Sequence, residues 1–280
     1  MTLIALFGAA GKMGTRISAK MHGSTDYEMM YVEAGEAGLQ RLAERGLQVT
    51  AAEEAAARAE IVVLAIPDVF IGRAAREIVP QMRPGAMLIC LDPAAPHSGE
   101  LPEREDITYF VVHPCHPPIV NDEVSPEARH DFFGGIAKQN IVCALMQGPE
   151  EDYARGERLA RRMFAPVDRA HRITVEQMAL LEPAMAETTV LTLMAAIKEA
   201  LDETVARGVP EEAARDFLFG HMNVNLGILF GLLDAQVSDG AKMAMARARN
   251  VIFQPDWKKV FEPENVMAEV KAITRAISRG

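Results

Sequence analysis

Residues 2–14 read Thr2-Leu3-Ile4-Ala5-Leu6-Phe7-Gly8-Ala9-Ala10-Gly11-Lys12-Met13-Gly14, and this stretch decides the fold. A short apolar run, a set of spaced glycines and the start of a helical pattern over 12–22 follow without a gap. That order predicts a strand, a tight turn and a helix N-terminus. Glycine at 8, 11 and 14 permits the turn and lets backbone approach a pyrophosphate, while the free N–H groups and positive dipole of the helix end face the phosphates. Glu33 closes the next candidate strand, 19 residues after Gly14. A carboxylate there accepts ribose hydroxyls and repels a 2′-phosphate, so Gly8, Gly11, Lys12, Met13, Gly14 and Glu33 are read as a dinucleotide site that favours NAD. The spacing is G-x-x-G-x-x-G, with Ala9 where the commoner motif has its first glycine, and Lys12 can touch a phosphate. Both features leave NADP as the alternative.

Outward from this stretch, short apolar runs at 2–7, 28–32, 60–66, 86–91 and 107–112 alternate with helical patterns at 12–22, 38–45 and 69–81. Residues 61–66 are apolar throughout, as suits a strand buried on both faces. The alternation predicts an α/β fold, a doubly wound parallel Rossmann sheet. A further strand is expected at 140–145 and a helix at 150–164. Beyond about 172 the pattern turns helical, with segments at 175–207, 211–234, 240–250 and 263–278. The expected domains are a Rossmann domain over 1–172 and an all-helical substrate and dimerisation domain over 173–280.

The chain has 280 residues, 49% of them hydrophobic, and a net charge of −10. That length accommodates two domains, and the acidity argues against nucleic-acid binding. Three cysteines without a CxxC pair argue for a reducing, cytoplasmic compartment. No uninterrupted apolar run reaches the roughly 18 residues of a membrane span, and the first residues read as a strand, not a signal peptide.

Further places carry candidate chemistry. In Leu64-Ala65-Ile66-Pro67-Asp68 the proline stops a strand, and Asp68 either caps the next helix or touches the ribose. Val112-His113-Pro114-Cys115-His116-Pro117-Pro118 follows another strand, and three prolines in five residues stiffen it. His113 and His116 are candidates for acid/base work or metal ligation, with a strand-end hydrogen bond as the bland alternative. Glu182-Pro183 interrupts a helical pattern, so the helix is expected to kink there. Glu182 is read as metal ligand or base, or else as a solvated helix edge. Glu187 lies about 140° further round a straight helix, and is read as solvated. His221 and Asn225 share a helix face and either line a substrate pocket or are buried and satisfied. Lys242, Arg247 and Arg249 are candidates for holding a carboxylate. The methionines at 178, 185, 194, 222, 243 and 245 are read as core filling.

On the glycine turn ending in Met13-Gly14, the Leu64 to Asp68 run and the helical second half, the chain resembles the 6-phosphogluconate dehydrogenase-like superfamily. The Gly-rich helix with Lys and Asn that marks its hydroxyacid dehydrogenase branch is replaced by Val175-Glu176-Gln177-Met178-Ala179-Leu180-Leu181-Glu182-Pro183. The glycine turn, the His113 to Pro118 loop and Leu181-Glu182-Pro183-Ala184 together are similar to the D-apionate oxidoisomerases of that superfamily. The resemblance implies NAD-linked oxidation of a branched, carboxylated polyol and rearrangement to 3-oxo-isoapionate. It also implies a divalent metal, zinc, held by a histidine of the His113 loop and by Glu182, with His113, His116 and Glu182 as catalytic residues in a cleft between the domains. Competing readings are a metal-free dehydrogenase of a small hydroxy acid with His113 as base, and a non-enzymatic dinucleotide sensor. The long apolar helices predict a homodimer.

Overall fold

The computed structural model describes residues 1–275. Strand β1 (Thr2–Phe7) leads into α1 (Lys12–Met21), β2 (Tyr27–Val32), α2 (Glu36–Glu44), α3 (Ala52–Arg58), β3 (Ile61–Leu64), α4 (Asp68–Ile78), β4 (Met87–Cys90), the short α5 (Ala94–His97) and β5 (Thr108–Pro114). The short α6 (Pro126–Arg129), β6 (Gln139–Gln147), α7 (Glu151–Met163), β7 (Val167–Arg172) and α8 (Val175–Ala179) follow. The seven strands form one sheet in the order β2-β1-β3-β4-β5-β6-β7.

Period-two alternation splits each central strand between two cores. Ala5, Phe7, Val62, Leu64, Leu88 and Cys90 pack on one face with α3 and α4. Ile4, Leu6, Ile61, Val63, Met87 and Ile89 pack on the other with α1 and α7. Helices on both faces make the sheet doubly wound, as the sequence pattern predicts.

The sheet is parallel from β2 to β5, but β6 pairs antiparallel with β5. A parallel neighbour needs a helical crossover, and the connection from β5 to β6 holds only the four residues of α6. Strand β7, parallel to β6, was not expected. It reads Val-Asp-Arg-Ala-His-Arg and none of it is buried, so no apolar alternation announces it.

The chain forms two compact units, Met1–Pro183 joined by the segment from Val266 on, and Ala184–Asn265. The first carries the whole sheet and receives α12 (Pro263–Thr274) through buried Val266 and Val270. The expected helix to Ser278 runs beyond the described residues. The second unit contains α9 (Thr192–Ala206), α10 (Glu211–Leu229) and α11 (Asp239–Ile252). It buries little by itself: Leu201 in α9, Ala214 in α10 and no residue in α11. Met178 is buried in the first unit, but Met185, Met194, Met243 and Met245 are exposed, against the expectation of core filling. The helical stretch Val175–Ala206 contains an 18-residue window of mean hydropathy 1.3, apolar enough by length and composition to cross a membrane. Glu182 and Glu187 interrupt it, which is why no continuous apolar run shows in the sequence.

Candidate active site

The carboxyl ends of β1, β3, β4 and β5 open on a cavity of about 440 Å³ within the first unit. Gly11, Lys12 and Met13 line one side; Asp68, Asp92, His113, His116, Phe133 and Glu182 line another.

The glycine turn is built by close packing. Gly8 has φ +75°, and a Cβ there would lie 2.4 Å from the Ala65 carbonyl oxygen. A Cβ on Gly14 would lie 2.1 Å from the Gly8 carbonyl oxygen, so α1 sits hard against the turn. The first helix-ladder bond runs from Thr15 N–H to Gly11. The N–H groups of Lys12, Met13 and Gly14 are thereby the unpaired donors of the helix end. The Glu33 carboxylate accepts from the N–H of Ala10 at 3.0 Å, Ala34 at 3.1 Å and Gly35 at 3.4 Å. It is thus a strut between the turn and the end of β2. A carboxylate has about four acceptor sites, which leaves one for a ribose hydroxyl. Arg41, which sequence reasoning did not single out, donates to the Ala10 carbonyl at 3.3 Å from α2.

Across the cavity the structure brings His113 and Glu182 together and adds Asp92. His113 Nδ1 lies 2.8 Å from the Leu91 carbonyl. A carbonyl only accepts, so Nδ1 carries a hydrogen, and whenever the ring is neutral its lone pair is on Nε2. That Nε2 is 3.3 Å from Glu182 Oε2. Two lone pairs facing each other repel unless a proton or a cation lies between them. Asp92 Oδ2 is 3.9 Å from His113 Nδ1. One ligand atom each from Asp92, His113 and Glu182 falls within 4.8 Å of the others, a spacing that can hold a metal ion. The backbone carbonyl on Nδ1 supplies the support that metal-binding histidines generally have. The sequence did carry a signal for Asp92: an acid directly after the β4 run and before Pro93, at the same sheet edge as Asp68 and His113.

Asp68 is not the helix cap. Pro67 holds the N-cap position and no side chain caps α4, because the proline fixes the strand exit and moves Asp68 into the first turn. Burial raises the Asp68 pKa above the usual carboxylate range; its own backbone N–H and His113 pull it down, and Glu182 pushes it up. Asp68 therefore shares its field with the His113–Glu182 pair.

His116 adopts φ 58°, an uncommon left-handed conformation for a non-glycine residue. Its Nδ1 lies 2.9 Å from the Phe133 carbonyl and its ring 5.2 Å from the Phe133 ring. The same argument leaves its Nε2 as the lone-pair atom. The rings of His113 and His116 are 6.3 Å apart, edge to face.

Glu182 and Pro183 sit in a π-helical stretch, Leu180–Leu191, between α8 and α9. The expected kink is realised as a wider turn: proline has no N–H to donate and its ring crowds the preceding turn, so the ladder shifts to longer steps. The other candidates lie in the second unit. Glu187 is exposed. His221 is exposed on α10, where its ring stacks on Phe217 at 3.9 Å and its Nδ1 meets the Phe217 carbonyl at 2.8 Å. Asn225, Lys242, Arg247 and Arg249 are exposed as well.

Residues 121–274 match the phosphogluconate dehydrogenase (decarboxylating) C-terminal family, and residues 3–94 match the NADP oxidoreductase, coenzyme F420-dependent family. The chain is 50% identical over 276 residues to a D-apionate oxidoisomerase of Rhizobium rhizogenes, covering 98% of this chain and 100% of that one. It is 50% identical over 273 residues to a D-apionate oxidoisomerase of Cupriavidus necator, covering 97% and 99%. A semialdehyde dehydrogenase NAD-binding protein from Cupriavidus necator, solved in complex with calcium and NAD, superposes with a TM-score of 0.95 at 49% identity, covering 98% of this chain and 100% of that one.

Proposed function

The chain belongs to the D-apionate oxidoisomerase family, within the 6-phosphogluconate dehydrogenase-like superfamily, and from that premise we propose that it oxidises D-apionate with NAD and rearranges the product to 3-oxo-isoapionate. It is an NAD-dependent oxidoreductase. The observation that carries the finer reading is the His113–Glu182 contact, an imidazole Nε2 turned toward a carboxylate 3.3 Å away with Asp92 beside them. The donor set of one nitrogen and two carboxylates fits a divalent ion of the zinc type. Calcium, present in the Cupriavidus relative, prefers a set made wholly of oxygens.

The residues divide the work as follows. The N–H groups of Lys12, Met13 and Gly14 hold the cofactor pyrophosphate, and Glu33 keeps the turn in place and takes a ribose hydroxyl. In the first step the C–H bond of the secondary alcohol breaks, its hydride passes to the nicotinamide, and the hydroxyl proton leaves to His116 Nε2 or to Asp68. In the second step one carbon shifts from the neighbouring tertiary carbinol to the new ketone carbon. The tertiary oxygen becomes the carbonyl and gives up its proton; the former ketone oxygen receives it. No electrons leave the substrate in this step. Asp92, His113 and Glu182 would hold a divalent ion, which would supply Lewis acidity for the shift. Asp92 and Glu182 bring two negative charges to that place.

We propose a homodimer formed through the second unit, since its helices present Phe217, Leu229, Phe230, Val251 and Ile252 to solvent. The three free cysteines, two of them buried, fit a reducing cytoplasm.

The function is tested by following NADH formation with D-apionate before and after chelation, with zinc or calcium added back. The expected result is loss on chelation and recovery with zinc. Full turnover in chelator would favour the metal-free dehydrogenase. No NADH from D-apionate under any condition would remove the substrate assignment.

A further inference from the structure

The cavity wall bearing His116 and Phe133 is fastened from behind by a residue outside the cavity. Arg16, on the second turn of α1, donates from Nη1 to the Phe133 carbonyl at 2.7 Å. That oxygen also takes His116 Nδ1 at 2.9 Å. The Arg16 guanidinium lies between two rings, 5.4 Å from the Phe133 centroid and 5.6 Å from that of Phe164. Phe164 is fully buried, so one side of this stack is fixed in the core. Gly134 closes on the guanidinium, for a Cβ there would lie 2.3 Å from Nη2. Arg16 Nε and Nη2 are buried without a hydrogen-bond partner among the described residues. The bond to Phe133 is therefore the hydrogen bond that fixes this side chain, and the Asp131 carboxylate adds a charge attraction.

The turn itself is wound around Asp131. Its carboxylate accepts from the N–H groups of Gly134, Ile136 and Ala137 at 2.7, 2.8 and 3.0 Å. Lys20, one turn further along α1, holds the Gly135 carbonyl at 2.7 Å. The turn is thus tied twice to the helix whose N-terminus faces the cofactor, but only Arg16 reaches the carbonyl that orients the imidazole.

We propose that Arg16 is a positioning residue: by fixing the Phe133 carbonyl it sets the tautomer and ring orientation of His116 at the substrate. The proposal rests on the reading that His116 exchanges a proton with substrate. A left-handed backbone at His116 is costly, and the ring needs a fixed acceptor to hold one direction from such a loop. Arg16 links that acceptor rigidly to α1, so the imidazole and the cofactor phosphates share one support.

The test compares Arg16→Met, Arg16→Lys and Lys20→Met in the full-length enzyme. Turnover, NADH affinity by fluorescence titration and the His116 ring resonances by NMR are all read. Arg16→Met is expected to lower kcat about 10- to 100-fold, the scale of a displaced catalytic group, with NADH affinity within about twofold of the parent and the His116 resonances shifted. Arg16→Lys, which keeps one donor, is expected to restore part of kcat, and Lys20→Met to leave kcat within about twofold. Unmoved His116 resonances in Arg16→Met would overturn the proposal whatever the substrate proves to be. So would an equal loss of kcat in Lys20→Met, or a fall in NADH affinity that matches the fall in kcat. Shifted resonances in an enzyme inactive on D-apionate would instead sink the substrate assignment and leave the role of Arg16 standing.

Discussion

At Asp68 the energetics of a single carboxyl can be read from stability. Burial raises its pKa in the folded state, and Glu182 adds to the rise. A raised carboxyl pKa means the folded state holds the proton more tightly than the unfolded one, so the group destabilises the fold above the folded-state pKa and is neutral below the unfolded value. In metal-free protein, Asp68→Asn is therefore expected to raise Tm at pH 7, with the gain shrinking to nothing as pH falls below about 4, the ordinary Asp value. A gain independent of pH would contradict the burial argument. Turnover of the same variant should fall, since a strained group kept at a site is there for function. Glu182→Gln removes one charge from the Asp92–His113–Glu182 set. Zinc affinity, measured by competition with a chromophoric chelator, is expected to drop about 100-fold or more, with NADH affinity unchanged. Equal zinc affinity in parent and variant would take Glu182 out of the ligand set. At this scale the sequence was informative where chemistry and spacing coincide, as in the His113 loop and Glu182. For Asp92 its signal was the bare one of an acid at the end of the β4 run before Pro93, and it was silent on Arg16, whose role depends on a carbonyl 117 residues away.

Among the elements, the glycine turn and the π-helical stretch set the geometry. Gly14→Ala would drive a methyl to 2.1 Å from the Gly8 carbonyl. Overpacking of that kind costs about 1–3 kcal/mol, so a lower Tm and weaker NADH binding are expected together; NADH binding at the parent level would show that α1 does not need to sit so close. Pro183→Ala tests the wide turn. Interior proline costs a helix about 3 kcal/mol, so this variant should be as stable as the parent or more so in thermal melts. Its kcat/KM is nevertheless expected to fall about 10- to 100-fold as Glu182 is re-aimed. Stability and activity rising together would contradict the claim that Pro183 serves to direct Glu182. The central strands were legible because burial on both faces makes them apolar throughout. Strand β7 was not, since an exposed edge strand has no inward face to fill, and a π-helical turn leaves no periodicity of its own beyond the proline.

For the molecule as a whole, the second unit is the unusual part. Its helices read as apolar in sequence, yet in the single chain Phe217, Phe230 and Val251 stand 69%, 76% and 86% exposed. Faces of that kind need cover, and the same sequence cannot say from composition alone whether the cover is intramolecular. Sedimentation at micromolar concentration is expected to give twice the chain mass of 30.6 kDa, and Val251→Glu combined with Phe230→Glu to shift it to the monomer. A monomeric parent would contradict the dimer. The chemistry of the site is a separate matter, because Asp92, His113, His116 and Glu182 all belong to the first unit.

We propose that oxidation is followed by a carbon shift at the Asp92–His113–Glu182 site, and this sequence has a direct test. It is tested most directly with D-apionate carrying ¹³C at the secondary alcohol carbon, NAD and zinc, with the product read by ¹³C NMR. The expected result is one NADH per product and the label in a tertiary carbinol, with the ketone on the adjacent carbon. Label found in the ketone carbon itself, with the skeleton unchanged, would contradict it and leave an ordinary dehydrogenase.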